Sequence, residues 1–257
     1  MRASSFFLAS AALATATASP AYPELTANNG MPGSLDTVSR YFDLLATKIQ
    51  QARQSAAAPS LPPPSAGLVL KHVAIGRGTQ NYTCDAGNAT AAPVAIGALA
   101  TLFNASCLAA AYPDVLDLLP RVVLQFNLTN NDITAMSTRL FPTNLKLSGH
   151  HYFKTTTTPF FNLDTPTTHI GEIPCAKNNT QKAPSVIAHD PEADNRGQGG
   201  EAAVPWLKLV AKPGVTGSLQ EVYRLQTVGG SAPTTCAGMS SEFTVQYAAQ
   251  YYFYGRI

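Results

Sequence analysis

Five histidines are the side chains of this sequence best suited to acid–base chemistry or to metal binding: His72, His150, His151, His169 and His189. An imidazole titrates near neutral pH and is the commonest ligand of transition metals in proteins. The adjacent pair His150 and His151 cannot chelate one ion from a strand, because neighbouring strand residues point to opposite faces. His72 and His151, each with a distant carboxylate, are therefore the candidates for a metal ligand or a catalytic base. A hydrogen-bonded structural histidine is the competing interpretation.

The carboxylates between Asp190 and Glu201 partly match a calcium-binding loop. Asp190, Glu192, Asp194 and Glu201 fall at positions 1, 3, 5 and 12 of that pattern, where oxygen ligands are needed. Position 6 requires glycine for a sharp turn but is Asn195, and Pro191 stiffens the start. The pattern favours a solvated acidic loop, with Asp190 and Asp194 kept as metal-ligand candidates.

Sequence motifs for the common enzyme chemistries are missing. The chain has no G-x-S-x-G elbow and no H-E-x-x-H zinc motif. Gly76 and Gly78 follow an apolar run, but Asn81 replaces the third glycine of a dinucleotide fingerprint, so we predict a tight turn and no cofactor. Paired carboxylates for glycoside hydrolysis would have to come from glutamates scattered along the chain, namely Glu172, Glu201, Glu221 and Glu242.

Aromatic side chains offer a different kind of site, a platform on which a sugar ring stacks. Trp206 is the only tryptophan, and Tyr223, Tyr252 and Tyr254 lie on segments with strand patterns. Aromatic residues on strands more often fill the core, because they bury large apolar areas. Trp206 and Tyr223 are therefore ligand-binding candidates that compete with a core interpretation.

Four cysteines allow two disulfides in three connectivities. We prefer Cys84–Cys107 together with Cys175–Cys236, because each bond joins neighbouring segments, and Cys84–Cys236 stays open. No pair has the C-x2-C spacing of a zinc finger, so the cysteines favour disulfides over metal.

Residues 1–18 have the features of an export signal. Arg2 supplies the positive charge, Phe6–Ala14 is a short apolar run, and Ala16-Thr17-Ala18 has the small-x-small form that signal peptidase cuts after. A membrane-spanning helix needs about 20 apolar residues, and no segment reaches that length. We predict a protein without a membrane span that is secreted to the extracellular space or the cell wall.

Sequons for N-glycosylation agree with export, since they are used only in the secretory pathway. We expect at least two of them to carry glycan and to lie on exposed surface. The acceptor asparagines are Asn81, Asn88, Asn104, Asn127 and Asn178.

The overall charge excludes some classes of partner. Charged residues make up 12% of the chain, about half of the usual globular share, and the formal net charge is +2 at pH 7. Without a basic run or an acidic tail, neither nucleic acid nor an anionic membrane surface is an expected partner. The oligomeric state is left open.

The chain divides at a proline-rich segment. Residues 19–33 read as a flexible leader, and residues 34–54 as an amphipathic helix that packs on the main domain or binds a partner. Residues 55–66 contain three consecutive prolines and read as a linker. The main domain then covers residues 67–257. The apolar stripe of the predicted helix consists of Leu35, Val38, Phe42, Leu45 and Ile49.

Short apolar runs separated by glycine, proline and asparagine predict a mainly β domain, an antiparallel sandwich or barrel with few short helices. The clearest strand is Phe243–Phe253, where aromatic and apolar residues recur at every second position. Leu68–Ile75, Arg121–Leu128 and Leu219–Thr227 read as further strands, and short helices are expected between residues 95 and 119.

Several of these segments resemble the sequences of a known protein family. They resemble, in this order, a secreted domain-of-unknown-function family that is common in filamentous fungi, and the resemblance covers residues 67–254. Members are often labelled malate dehydrogenase, but the missing dinucleotide fingerprint and the export signal speak against that activity here. The resemblance implies no catalytic residues. The segments are Val69–Cys84, His151–Phe153, Val204–Leu209, Val228–Pro233 with Cys236, and Tyr247–Tyr254.

Together these features predict a secreted, disulfide-bonded, N-glycosylated protein that binds a ligand without catalysis, with a cell-wall polysaccharide as the expected partner. A secreted hydrolase or metal-dependent enzyme is the first alternative. A structural surface protein with no small ligand is the second.

Overall fold

The computed structural model describes residues 61–126, 139–140, 143–184, 186–187 and 190–257, and of 186–187 and 190–194 it describes the backbone alone. The predicted signal peptide, leader and amphipathic helix lie outside the described residues, as do residues 55–60 of the predicted linker and the acceptor Asn127.

The described chain is mainly β, as the sequence predicts, and two helices interrupt the strands. No helix of this described part is long and apolar enough to cross a membrane. The elements are β1 (Val69–Thr83), β2 (Val94–Asn104), α1 (Ser106–Ala111), α2 (Pro113–Leu124), β3 (Leu147–Thr155), β4 (Thr158–Thr165), β5 (Thr168–Gln181), β6 (Val186–Ile187), β7 (Asp190–Asp194), β8 (Trp206–Ala211), β9 (Leu219–Gly229) and β10 (Glu242–Gly255).

Eight of the strands close into an antiparallel barrel in the order β1–β10–β9–β8–β5–β4–β3–β2, which confirms the barrel form of the predicted fold. The first and last strands are neighbours and pair from Val69↔Gly255 to Thr83↔Glu242. The short strands β6 and β7 pair with each other between β5 and β8 in the chain. Closure leaves the barrel without an open edge.

The barrel interior is filled by side chains that alternate along each strand. On β10, Tyr247, Tyr251 and Phe253 point inward and are almost fully buried, as the period of two predicts. Phe161 from β4 meets both Tyr251 and Phe253 edge-on, with ring centroids 5.5 Å apart in each pair. An eight-stranded barrel is just wide enough to be filled in this way.

The helix α2 covers the outer wall of the barrel and includes residues that were predicted to form a strand. The sequence analysis assigned Arg121–Leu128 to a strand, but residues 121–124 form the last turn of α2. Pro113 starts the helix, where its missing N–H costs nothing, and Leu116, Leu119 and Val123 recur at helical spacing and are buried against β1, β9 and β10. A short apolar run is compatible with either a strand or a helix, and packing against the barrel favours the helix here.

Side chains of the barrel supply the hydrogen bonds that α2 lacks. Pro120 inside the helix has no N–H to donate to the carbonyl of Leu116, and the Nε2 of Gln250 donates to that carbonyl instead, at 2.9 Å. At the end of the helix, Arg77 donates from Nε to the carbonyl of Val123 at 3.3 Å and from Nη2 to the carbonyl of Phe126 at 3.1 Å.

Gly76 and Gly78 lie in the middle of β1, so the predicted tight turn is wrong. A Cβ at Gly76 would lie 2.4 Å from the ring of Tyr251, and one at Gly78 would lie 1.9 Å from the carbonyl oxygen of Leu99. These glycines are required by close packing against β2 and β10. A phosphate-binding turn that leads into a helix is not formed at this position.

The end of the proline-rich segment lies along the barrel wall. The carbonyl of Pro62 accepts a hydrogen bond from Tyr223 Oη at 2.8 Å, and that of Pro63 accepts one from Lys208 Nζ, also at 2.8 Å. The N–H of Leu61 donates to Gln181 Oε1 at 3.2 Å. Residues 61–66 are therefore part of the folded unit.

The disulfide corrects the preferred cysteine pairing. Cys84, just after β1, is bonded to Cys236, just before β10, which is the pairing that the sequence analysis left open. Cys107 is an exposed free thiol on α1, and Cys175 is a buried free thiol on β5. The preferred pairs Cys84–Cys107 and Cys175–Cys236 are wrong because β1 and β10 pair directly, which brings cysteines 152 positions apart together.

Replacing the bonded pair by Cys84→Ser with Cys236→Ser should lower the free energy of unfolding by about 2–5 kcal/mol, because the bond closes a very long loop. Denaturant unfolding under non-reducing conditions measures the change. Cys107→Ser is the matched control and should stay within about 0.5 kcal/mol of the wild type. Equal losses in the two variants would contradict the role of the Cys84–Cys236 bond.

Candidate functional site

An open groove lies at the end of the barrel where β8 ends and β9 begins. Its volume is about 330 Å³, at the lower end of the range for small-molecule sites. The segment before β1 forms one side, β8 and β9 form the floor, and the residue after β10 closes the other side. The lining residues are Ser65, Ala66, Leu68, Val210, Ala211, Gln220, Glu221 and Arg256.

Glu221 is the fixed carboxylate of the groove. Its Oε2 lies 3.2 Å from Lys208 Nζ, and both side chains are only 6% exposed. The backbone N–H of Ser65 donates to the same oxygen at 3.2 Å, and the Ser65 hydroxyl donates to Oε1. Burial of the pair is tolerated because each charge has hydrogen-bonding partners. The carboxylate is thus held in one orientation at the groove floor.

Arg256 and Gln220 are two further polar side chains that line the groove. Arg256 is exposed, and its guanidinium has no partner among the described residues, although its backbone N–H donates to Ser218 O at 2.9 Å. Gln220 Nε2 donates to the carbonyl of Leu219 at 2.7 Å, and its amide oxygen accepts no hydrogen bond within the described part of the chain.

The groove thus offers acceptors, donors and apolar surface to the same ligand. Carboxylate and amide oxygens accept hydrogen bonds from hydroxyl groups, and a guanidinium donates several in a planar fork. Leu68, Val210 and Ala211 give it an apolar lining. A small molecule with many hydroxyl groups and an apolar C–H face fits this combination.

Trp206 and Tyr223 do not form an exposed platform. They are 5% and 6% exposed, and Tyr223 packs edge-on against Tyr254 with ring centroids 5.6 Å apart. Burial, reinforced by the charge of Glu221, raises the pKa of Tyr223, so its hydroxyl stays protonated and donates to Pro62. These aromatic side chains belong to the core.

His72 is held between two serine hydroxyls. Its Nε2 lies 3.0 Å from Ser148 Oγ and its Nδ1 lies 3.3 Å from Ser106 Oγ, which ties β1 to β3 and to α1. Burial lowers the pKa of His72 to about 4, which makes it a weak base at neutral pH. No carboxylate is hydrogen-bonded to His72 within the described part of the chain.

His151 lies inside the barrel, stacked on Phe161 with ring centroids 4.2 Å apart. Its Nδ1 donates to the carbonyl of Phe160 at 3.0 Å. Burial lowers the pKa of His151 to about 4, the hydrogen bond to Phe160 opposes that shift, and the positive charge of Arg224 adds to it. The structure does not bring His72 and His151 into one cleft with a carboxylate.

Two tyrosines of the interior are also held in the protonated state. Tyr247 and Tyr251 share a hydrogen bond of 2.8 Å between their hydroxyls, and burial raises the pKa of both. Arg224 donates from Nη2 to the carbonyl of Pro205 at 2.9 Å. The bond of Arg224 ties β9 to the segment just before β8.

The acidic candidates lie in different segments of the described chain. Asp190 and Asp194 are the ends of β7, where the sequence predicts a loop, and their side chains lie outside the described part. Glu201 accepts from the N–H of Gly199 at 2.9 Å, and Glu172 accepts from Asn162 Nδ2 at 2.8 Å. Across the residues that could be searched, no group of three or more metal-ligating side chains is present.

A family model described as a protein of unknown function, DUF3455, matches residues 64–255. This chain belongs to the DUF3455 family. No curated protein and no solved structure matches it. The match begins just before Ser65 and ends just before Arg256, so the DUF3455 domain comprises the whole barrel and seven of the eight groove residues.

Sequence reasoning missed most of this groove. It named Glu221 as one of several scattered glutamates, but it did not single out Ser65, Gln220 or Arg256. No spacing signal connects these residues, because they lie just before β1, on β9 and just after β10.

The two buried histidines make the stability of the DUF3455 domain depend on pH. Each has a pKa near 4 when folded and about 6.5 when unfolded, so the unfolded chain takes up protons first as the pH falls. The free energy of unfolding should therefore drop by about 2 kcal/mol per histidine between pH 7 and pH 5.

Denaturant unfolding at several pH values measures this slope. His72→Gln and His151→Gln should each flatten it, whatever their effect on stability at pH 7, and His169→Gln at the exposed histidine should not. An unchanged slope in both buried variants would contradict the neutral burial of these side chains.

Proposed function

We propose that this protein is exported, carries N-linked glycan and binds a hydroxyl-rich ligand without catalysis, and that the ligand is a sugar unit of an extracellular or cell-wall polysaccharide. The groove at the β8–β9 end of the barrel carries the proposal. It places the fixed carboxylate of Glu221, the exposed guanidinium of Arg256 and the amide of Gln220 around one open volume of about 330 Å³.

The groove chemistry supports binding rather than hydrolysis. Glycoside hydrolysis uses two carboxyl groups, about 5–5.5 Å apart in retaining enzymes and about 6.5–9.5 Å apart in inverting ones. The described lining contributes one carboxylate, Glu221, and that group is already engaged by Lys208 and Ser65. Glu221 therefore stabilises the floor of the groove, and Arg256 and Gln220 are the side chains placed to bind sugar hydroxyls.

The placement of the sequons supports export. Asn88, Asn104 and Asn178 are exposed on the barrel surface, where an oligosaccharide has room. Asn81 is half-buried in β1, where its Oδ1 accepts from Thr79 Oγ1 at 3.0 Å. The Cys84–Cys236 bond and the signal sequence of residues 1–18 point to the same oxidising compartment.

Expression in a eukaryotic secretory host should therefore give a glycosylated protein in the medium. Peptide N-glycosidase F should lower its mass, and peptide mapping should find glycan at Asn88, Asn104 or Asn178 more often than at half-buried Asn81. Retention of the unmodified protein inside the cell would contradict the proposed export.

Binding is tested by thermal shift and calorimetry with soluble oligosaccharides from β-glucan, chitin and cellulose. A ligand at 100 times its dissociation constant adds about 2.7 kcal/mol and should raise the melting temperature by roughly 5–10 °C. Arg256→Ala should weaken binding of the active oligosaccharide by about tenfold or more, since a hydrogen bond to a charged group is worth about 1.5–3 kcal/mol.

Arg196→Ala is the matched control for this measurement. Arg196 is also an exposed arginine, but it follows Asn195, whose carbonyl binds the N–H of Gly229 at the opposite end of β9 from the groove. Equal losses at Arg256 and Arg196, or no shift with any oligosaccharide, would overturn the proposed site.

A further inference from the structure

The helix α2 is apolar on two opposite faces. Its inner face, with Leu116, Leu119 and Val123, is buried against the barrel. Its outer face carries Val115 and Leu118, which point away from that core and are exposed. A surface helix normally places charged and polar residues opposite its buried face, so apolar residues on the exposed face indicate a surface that is covered.

The exposed side of this helix forms a continuous stripe, which we call the α2 outer stripe. Val115, Leu118 and Val122 recur at intervals of three and four residues, and Tyr112 precedes them. The exposed fractions are 64% for Tyr112, 46% for Val115, 39% for Leu118 and 40% for Val122. Contiguous exposed apolar residues of this kind mark an interaction surface, whereas isolated ones need no explanation.

The described chain begins against the same outer wall of the barrel that α2 covers. Leu61 packs against the hydrophobic cluster that also contains the inner face of α2 and Tyr223. Only residues 55–60 connect Leu61 to the segment 34–54, and six extended residues span about 20 Å. The twelve-residue helix α2 is about 18 Å long, which is comparable to the reach of this tether.

The segment 34–54 has an apolar stripe long enough to cover the α2 outer stripe. Leu35, Val38, Phe42, Leu45 and Ile49 lie on one side of the predicted helix, over about 21 Å. We infer that residues 34–54 dock as a helix on the α2 outer stripe, so that α2 is held between the barrel and the N-terminal segment.

The short tether favours this occupant over a second copy of the chain. A segment joined by a short linker has an effective concentration in the millimolar range, so weak apolar contacts suffice to hold it in place. A second copy would have to supply the same contacts at its much lower concentration in solution. The docked helix would also cover the surface that otherwise promotes self-association.

Hydrogen–deuterium exchange of the disulfide-intact chain lacking only its signal peptide, residues 19–257, tests the inference. Amides of residues 34–54 should exchange at least tenfold more slowly than an unstructured peptide of that sequence. Val115→Asp should remove this protection. Aspartate at the third position of α2 suits the helix dipole, so the helix itself is not weakened.

Val94→Asp is the matched control, because Val94 is a valine that is 63% exposed at the start of β2. A reciprocal pair tests the other partner: Phe42→Asp in the predicted stripe should release the segment, and Thr47→Asp on its opposite side should not. Rapid exchange of residues 34–54 in the wild type overturns the inference. A dimeric mass that only Val115→Asp converts to a monomer, with residues 34–54 unprotected, assigns the stripe to a second copy and overturns it as well.

Discussion

The antiparallel pairing of β1 with β10 is the constraint on which the other parts of the structure depend. These strands come from opposite ends of the domain, and their pairing from Val69↔Gly255 to Thr83↔Glu242 closes the barrel. Their outward side chains form the surface on which α2 lies, and the inward side chains of β10 fill the interior. The disulfide between Cys84 and Cys236 is a consequence of this pairing, since it joins the chain just beyond the two strands at one end.

Two buried polar side chains on that surface determine where α2 packs against it. Arg77 of β1 is 1% exposed, and burial lowers its pKa to about 10, so it remains charged at neutral pH. It is tolerated because it donates to the carbonyls of Gly78, Val123, Phe126 and Tyr247 and to Gln246 Oε1. Buried carbonyls without donors are costly, so a helix ending elsewhere on this wall would be less stable. Gln250 of β10 likewise donates to the carbonyl of Leu116, which receives no N–H from Pro120.

The candidate groove, like the disulfide, is a consequence of barrel closure. Ser65 precedes the first strand, Arg256 follows the last, and Gln220 and Glu221 begin β9. They meet because all of these points lie at the same end of the barrel. The ion pair between Lys208 and Glu221 is stable at low exposure because Ser65 and Pro63 satisfy the remaining groups, which also fixes the segment before β1 to the wall. The contacts that fix the segment before β1 to the barrel wall therefore also form one side of the groove.

The sequence by itself determined the class of the fold and several of its elements. Alternation along Phe243–Phe253 predicted β10 and its buried face, because a strand has a fixed side-chain period of two. Residues 121–124, Gly76 and the partner of Cys84 were assigned wrongly, because each depends on a neighbour distant in the chain: the barrel wall under α2, the ring of Tyr251 and the β1–β10 register. The groove was decided by tertiary structure alone. Hydrogen-bonding side chains carry no local signal when residues 65, 220 and 256 meet only after the barrel has closed.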